Sequence, residues 1–227
     1  MKALNVVNEE ITLGIAKDGV SIRQMDIAHI YMVDFNLPAQ AFIEYDVETE
    51  GRITVNVATL RRILKRAGDE DNVHLGIEGA KLVVSSPDRT FKLSTYENTE
   101  LNPIPKVDLK THAKAKSLAF FEALDDLAIA ETQYIEVVVK DKDIRVRAKG
   151  DAVQCDIAMS KGALDTFMEE EVSSGYSLDI LKPIAKASKS LADDFVMDFD
   201  KDMPIRMSWK PYKNADMTFY VAPRIEG

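Results

Sequence analysis

The residues able to carry chemistry are few and scattered. His29, His74 and His112 stand far apart, and none has a second histidine or a cysteine at metal-ligand spacing. Asp198, Asp200 and Asp202 begin like a calcium loop, but Met203 stands where that loop needs glycine and Trp209 where it needs glutamate, which favours a solvated strand end. Glu169, Glu170 and Glu171 read as a charged turn between strands, because nothing nearby would push their pKa values apart for acid/base work. The 10 glycines fall in neither GxxxxGK nor GxGxxG, so nucleotide hydrolysis and dinucleotide binding lose their usual support. No residue set meets the geometry of a nucleophile, a base or a metal centre. The sequence therefore argues against an enzyme and implies no cofactor and no metal.

What remains is basic charge at helical spacing. Over Ala58 to Gly68, Leu60, Ile63, Leu64 and Ala67 fall at i, i+3, i+4 and i+7, with Arg61, Arg62, Lys65 and Arg66 opposite and Gly68 as a stop. From about Leu181 to Leu191, Leu181, Ile184, Ala185 and Leu191 are the apolar set, and Lys182, Lys186 and Lys189 form a second basic stripe. Pro183 is harmless only in a first turn, which predicts a start near Ile180 with Asp179 as the cap. Leu60 to Lys65 laid over Leu181 to Lys186 matches apolar to apolar and basic to basic at an offset of 121 residues, the mark of an internal duplication. A third helix over Leu118 to Ala130 gathers Phe120, Phe121, Leu124, Leu127 and Ala128 on one face behind a Ser117 cap. Its polar face, Glu122, Asp125 and Asp126, is acidic. The first-half counterpart of that helix falls on Met1 to about Val7. Two basic stripes at equivalent places point to a polyanion, even though the net charge is −9, because what matters is where the charges sit.

Strands must carry these helices. Ile11 to Ile15, Val20 to Arg23, Tyr31 to Leu37, Ile53 to Val57, Val73 to Ile77, Leu82 to Ser85 and Phe91 to Ser94 are short apolar or alternating runs bounded by turn residues. Tyr134 to Val139, Ile144 to Ala148, Val153 to Met159, Phe195 to Phe199, Ile205 to Trp209 and Met217 to Val221 repeat the scheme. Between the halves, Tyr96 to Val107 loses alternation and holds two prolines, an extended linker that exposes Leu101 and Ile104. At 227 residues, 46% hydrophobic and 30% charged, the chain fits one large domain or two smaller ones. Its apolar runs fall short of the roughly 20 residues of a membrane helix. With Cys155 as the only cysteine, a soluble, intracellular protein is expected.

With these segments on the page, the chain resembles the sliding clamp family of archaea and eukaryotes, the proliferating cell nuclear antigen type, over nearly its whole length. The resemblance is carried by DGVSIRQMDIAHIYMVDFNLP (Asp18 to Pro38), the helix ATLRRILKRAG followed by DED, the linker ELNPIPK and the terminus FYVAPRIEG. It implies an α+β fold of two duplicated clamp domains, 1–95 and 108–227, joined by a linker at 96–107, with antiparallel sheets outside and helices lining a central hole. It further implies a homotrimeric ring around double-stranded DNA, without sequence preference, that serves as processivity factor for DNA polymerase and as a docking platform in replication and repair. The alternatives are a subunit of a heteromeric or checkpoint-type clamp and a monomeric protein-interaction module. Cytoplasmic placement, on an archaeal nucleoid, or nuclear placement in a eukaryote would follow, with no membrane.

Residue by residue, the resemblance places Lys2, Arg61, Arg62, Lys65, Arg66, Lys182, Lys186 and Lys189 toward the DNA. Subunits would join through strands near Arg89 to Thr95 and Val153 to Ser160, with Phe91, Leu93, Cys155 and Ile157 in contact. DNA polymerase, clamp loader, flap endonuclease and DNA ligase type proteins would dock through a short peptide motif. Its pocket would comprise Met25, His29, Ile30 and Met32, linker residues Leu101, Ile104 and Pro105, and Pro204, Tyr220, Val221, Ala222 and Pro223. Two features depart from the family. Relatives begin with a strand and a full helix before the segment matching Ile11, whereas Met1 falls within that helix, so either the true start lies upstream or this clamp lacks a strand. The acidic face of Leu118 to Ala130 replaces a basic one, and weaker or absent DNA contact is expected there.

Overall fold

The computed structural model describes residues 1–68, 71–141, 143–159, 168–212 and 214–224. Asp69 and Glu70 of the DED segment, Ser160 of the expected interface strand and residues 225–227 of the terminus lie outside the described residues, as do the side chains of Glu169 and Glu170.

Alternation of buried and exposed residues builds the strands. A 3-10 turn at Leu4–Val6 is what forms of the helix expected over Met1 to Val7, and β1 (Glu10–Ala16), β2 (Gly19–Met25) and β3 (Tyr31–Pro38) follow. Gly19 closes the β1–β2 turn at φ 148°, where a Cβ would meet the Leu37 carbonyl oxygen at 2.3 Å, so the position requires glycine. Next come β4 (Gly51–Asn56), α1 (Val57–Leu64), β5 (His74–Glu78), β6 (Lys81–Ser86) and β7 (Arg89–Ser94). The second half runs through β8 (Thr111–Lys116), α2 (Ser117–Leu127), β9 (Tyr134–Asp141), β10 (Asp143–Lys149), β11 (Gln154–Ala158) and β12 (Met168–Ser177). It ends with α3 (Leu178–Ser188), β13 (Asp194–Phe199), β14 (Ile205–Trp209) and β15 (Asp216–Val221).

Strand registers measure the duplication. Leu13 pairs with Ile22 and Ile53, while Val137, 124 residues on, pairs with Val146 and Ser174. Ile53 and Ser174 are 121 residues apart, as are the helix starts Val57 and Leu178, which matches the offset read from the basic stripes. An eight-stranded sheet, ordered β4-β1-β2-β3-β15-β14-β13-β8, crosses between the halves at β3–β15, and β5-β6-β7 and β11-β10-β9-β12 form two smaller sheets. Inside the second repeat, Phe195 stacks on Trp209 with ring centroids 4.8 Å apart, between Phe120 and Phe219. The indole Nε1 donates to Ser117 Oγ at 3.1 Å, and that hydroxyl donates onward to the Ala192 carbonyl. Ser117 is thus the first residue of α2 and a buried hydrogen-bond relay, not the expected cap.

Other expectations are corrected. β8 and β12 are strands that the sequence did not announce. In β8, Ala113 and Ala115 take two of the three buried positions, beside Thr111, and alanine favours helix over sheet. β12 contains the glutamate run read as a turn, as an irregularity between Met168 and Val172, where its pairing with β9 shifts register. Helix α1 stops at Leu64, four residues before Gly68, and Gly68 donates its N–H to Asp71 Oδ2. Helix α3 begins at Leu178, behind Ser177, so Asp179 lies inside the helix and Pro183 is its sixth residue. The bond that Pro183 cannot donate to the Asp179 carbonyl is lost on the exposed side of α3, while Leu178, Leu181, Ile184, Ala185 and Ser188 are buried on the other.

One part of the first repeat stays open. In the second repeat β8 pairs with β13 and α2 covers the core, but among the described residues β5 has no strand beyond it. Leu75 and Ile77 pair with Val84 and Leu82 and share their apolar face, yet they remain 53% and 54% exposed. Phe195 and Met197 of β13 are buried. Phe195→Ala should therefore cost about 3–5 kcal/mol in urea unfolding, and Leu75→Ala less than about 1 kcal/mol. Similar losses in the two variants would contradict this account of β5.

Candidate functional site

Three surfaces bring the candidate residues together. On the helical side, Asn56 Oδ1 accepts the Thr59 N–H at 2.9 Å and caps α1, whose Val57 and Leu60 are buried. Arg61 is half-buried; Arg62, Lys65 and Arg66 are exposed, the last two on the turn that closes the helix. Among the described residues none of these four enters an ion pair, and Lys2 is also exposed. The stripe of α3 is built differently. Lys182 Nζ lies 2.8 Å from Asp125 Oδ1 on α2, and Lys189 Nζ sits 3.8 Å above the centre of the Phe121 ring. The Lys182 ammonium, with Lys186 and Lys189 behind it, holds the Asp125 carboxyl below its ordinary range.

On the outward face, Asp26 organises the loop after β2. Its Oδ1 accepts the N–H groups of Ile30 and Tyr31, both at 2.7 Å, and its Oδ2 accepts that of Ala28 at 3.0 Å. The buried carboxylate supplies acceptors for the N–H groups of an exposed turn, His29 takes a left-handed conformation at φ 58°, and Ile27 is left 93% exposed. Met25 pairs with Met32 and Met32 with Tyr220, so the three side chains share the outward face of adjacent strands. Met32 is buried there without belonging to the hydrophobic core cluster, which makes it a floor, whereas Val221 is buried within the core. Burial pushes the Tyr220 phenol pKa up, against the opposing pull of Arg206. Ala222 donates its N–H to the Ile30 carbonyl at 2.8 Å, and Arg224 donates to Gly175, so the segment after β15 is laced to both repeats. Pro105, Pro204 and Pro223 are half-buried, and Ile30 is exposed.

The linker is strapped to the first repeat rather than free. Tyr96 donates its N–H to the Thr54 carbonyl, Asn98 Nδ2 donates to the Arg52 carbonyl, and the Thr99 and Thr12 hydroxyls lie 2.7 Å apart. Farther on, Arg23 Nη1 donates to the Asn102 carbonyl while its Nε donates to Asp34. Leu101 lies over Gly14, where a Cβ would come within 3.3 Å of its methyl carbon. Both linker apolars were expected to be exposed; Leu101 is half-buried, and Ile104 remains 41% exposed. The turn-organising role of Asp26, Gly14 and the Thr12–Thr99 contact were not read from the sequence. The signal available was a lone acid before a turn and a glycine in mid-strand, where close approach of another segment is the usual reason.

The third surface is a pair of open edges. Among the described residues β7 and β11 each have a neighbour on one side only, and Phe91, Leu93, Cys155 and Ile157 are half-buried on them. Elsewhere, His112, Asp198 and Asp200 serve the scaffold: Asp198 accepts from Arg206 Nε and contacts His112 Nδ1, while Asp200 accepts from Lys110 and Thr111.

A duplicated α+β chain with sheets behind a few helices, a basic helical face and unpaired edge strands has the architecture of a DNA clamp. The family profile described as proliferating cell nuclear antigen, N-terminal domain, matches residues 1–99. DNA polymerase sliding clamp 3 of Aeropyrum pernix is 32% identical over 219 residues, covering 92% of this chain and 86% of that protein. This chain belongs to the DNA polymerase sliding clamp family. Its fold is similar to that of PCNA from Thermococcus kodakaraensis, with a TM-score of 0.87 at 24% identity over 98% of this chain and 94% of that one. It is also similar to the PCNA of A. fulgidus, solved with the C-terminal region of FEN-1 bound, with a TM-score of 0.83 at 22% identity over 100% and 94% of the two chains. Sliding clamps are in general non-enzymatic.

The split between the linker residues is measurable. Leu101→Ala, which unseats the strap from Gly14, should lower the melting temperature by a few degrees, whereas Ile104→Ala should leave it within about 1 °C. Equal shifts in calorimetric melting curves would contradict this division of roles.

Proposed function

We propose that copies of this chain close head to tail into a homotrimeric ring that encircles double-stranded DNA without catalysis of its own and holds DNA polymerase and other replication and repair proteins on it. The observation that carries this reading is the β3–β15 junction. Within one chain, β3 of the first repeat pairs with β15 of the second from Tyr31–Val221 to Asn36–Asp216. The duplication makes β11 the counterpart of β3 and β7 the counterpart of β15, and among the described residues each of these two strands is the edge of its sheet. A second copy can repeat the same junction by laying its β11 on β7, with Phe91 and Leu93 beside Cys155 and Ile157. A contact between two different edges propagates around an axis until the rotation closes it.

The proposed units are 1–95 and 108–227, joined by the strap at 96–107. In the ring, the helices of each unit face the hole, and Arg61, Arg62, Lys65, Arg66 and Lys2 attract phosphates without reading bases, which permits sliding. The outward trio Met25, Met32 and Tyr220, bordered by the Asp26 loop, exposed Ile104 and the segment after β15, is the proposed dock for short peptide motifs of polymerase, clamp loader, flap endonuclease and ligase type partners. The A. fulgidus relative, solved with a FEN-1 segment bound, supports docking of this kind. Such a ring works inside the cell, on DNA.

Light scattering after size exclusion tests the assembly. At micromolar concentration the purified chain should elute with the mass of a trimer, and Phe91→Asp or Ile157→Asp should reduce it to that of a monomer, with unchanged circular dichroism, because an unpaired charge would be buried at the junction. A monomeric wild type, or variants that keep the wild-type mass, would overturn the proposed ring contact.

A further inference from the structure

The two helical faces that the ring would present to DNA carry different net charge. Near α1 the described side chains Arg61, Arg62, Lys65 and Arg66 are all cationic. On the α2–α3 face, the cations Lys182, Lys186 and Lys189 meet the exposed carboxylates Glu122, Asp125 and Asp126 of α2 and Asp179 in the first turn of α3, so the positive charge is fully offset. The balance is also local. Asp125 sits across from Lys182 at 2.8 Å, and Phe121 lies beneath Lys189 at 3.8 Å. An approaching phosphate must compete with the carboxylate already paired to the Lys182 ammonium, and within a screening length of about 8–10 Å it meets at least as much negative as positive charge.

Resting on the ring reading above, we propose that Asp125 is a positioning residue that holds Lys182 away from DNA phosphates, so that each subunit attracts the duplex through α1 and lets it pass freely along α2 and α3. Phe121 does the same for Lys189 by keeping its ammonium over an aromatic face. The consequence is an alternating inner wall, attractive at one unit and neutral at the next, which limits the number of phosphates held at once. Fewer simultaneous phosphate contacts mean weaker salt-dependent attachment and a lower barrier to sliding. The lowered pKa of Asp125 agrees with this geometry, since its largest cause is the contact with Lys182.

Fluorescence anisotropy of a labelled linear duplex, titrated with the assembled protein at several salt concentrations, tests the proposal. Asp125→Asn should tighten binding at low salt and steepen the slope of log affinity against log salt by roughly one unit for each lysine released to a phosphate. Asp46→Asn, which removes the same charge from an exposed loop, controls for net charge and should change the slope far less. Adding Lys182→Ala to Asp125→Asn should return the slope to the wild-type value. Equal slopes for Asp125→Asn and Asp46→Asn, or a gain that survives Lys182→Ala, would overturn the role given to Asp125. A wild-type protein that forms the ring yet shows no salt-dependent affinity for duplex would overturn the DNA reading beneath it, a different failure that the same titration shows directly.

Discussion

Backbone pairing at β3–β15 is the contact on which the rest of the structure depends. It joins two repeats that otherwise share few strands, and it extends one sheet across eight strands without a break. Buried side chains line its inner face, with Val33 opposite Phe219, and the outer face holds Met32 opposite Tyr220. The same ladder thus fixes how the repeats meet and creates the outward apolar floor proposed to receive partners. Because the repeat carries its edges with it, a junction inside the chain dictates one between chains. Leaving β7 and β11 open would expose two rows of unpaired backbone groups, which proteins ordinarily cover.

Charge is distributed against the symmetry of the backbone. The repeats match in register to the residue, yet α1 is a cationic face and α3 is neutralised by α2. The chain is acidic overall, which keeps nonspecific polyanions away and leaves attraction to a small set of arginines and lysines. The neutral face and the linker strap share a physical theme. Each fixes a flexible segment by short-range contacts, Lys182 by Asp125 and the linker by Thr12, Thr54, Arg23 and Gly14, so that one chemical function is left free.

Much of this was legible in the sequence where periodicity was strong. The thirteen strands read from alternation are all present, and the 121-residue offset between basic helices reappears in the strand registers. The reading failed where side chains are small or charged. Alanines at two of the three buried positions of β8 hid a strand, because sheet pairing and not propensity decides such a segment. The glutamates of β12 looked like a turn because they fall where the strand's pairing with β9 shifts register, between Met168 and Val172. Helix α1 ends at Leu64, short of the Gly68 stop, and α3 runs through Pro183, since tertiary packing of Leu178 and Leu181 overrides a local breaker. The partner for Lys182 lies 57 residues away on another helix, and no local pattern could reveal it.

The ring contact can be tested on the single natural cysteine. Cys155 lies on β11, on the same face as Ile157, and is free. Introducing Phe91→Cys or Leu93→Cys on β7 would place a second thiol opposite it across the junction, within the few ångströms a disulfide requires. After mild oxidation, non-reducing denaturing electrophoresis should show one of these variants as a ladder of dimer and trimer that ends at the trimer, and reduction should return it to monomer. A chain that stays monomeric under oxidation at both positions, or a ladder that continues past the trimer, would contradict a closed ring built on β7 and β11.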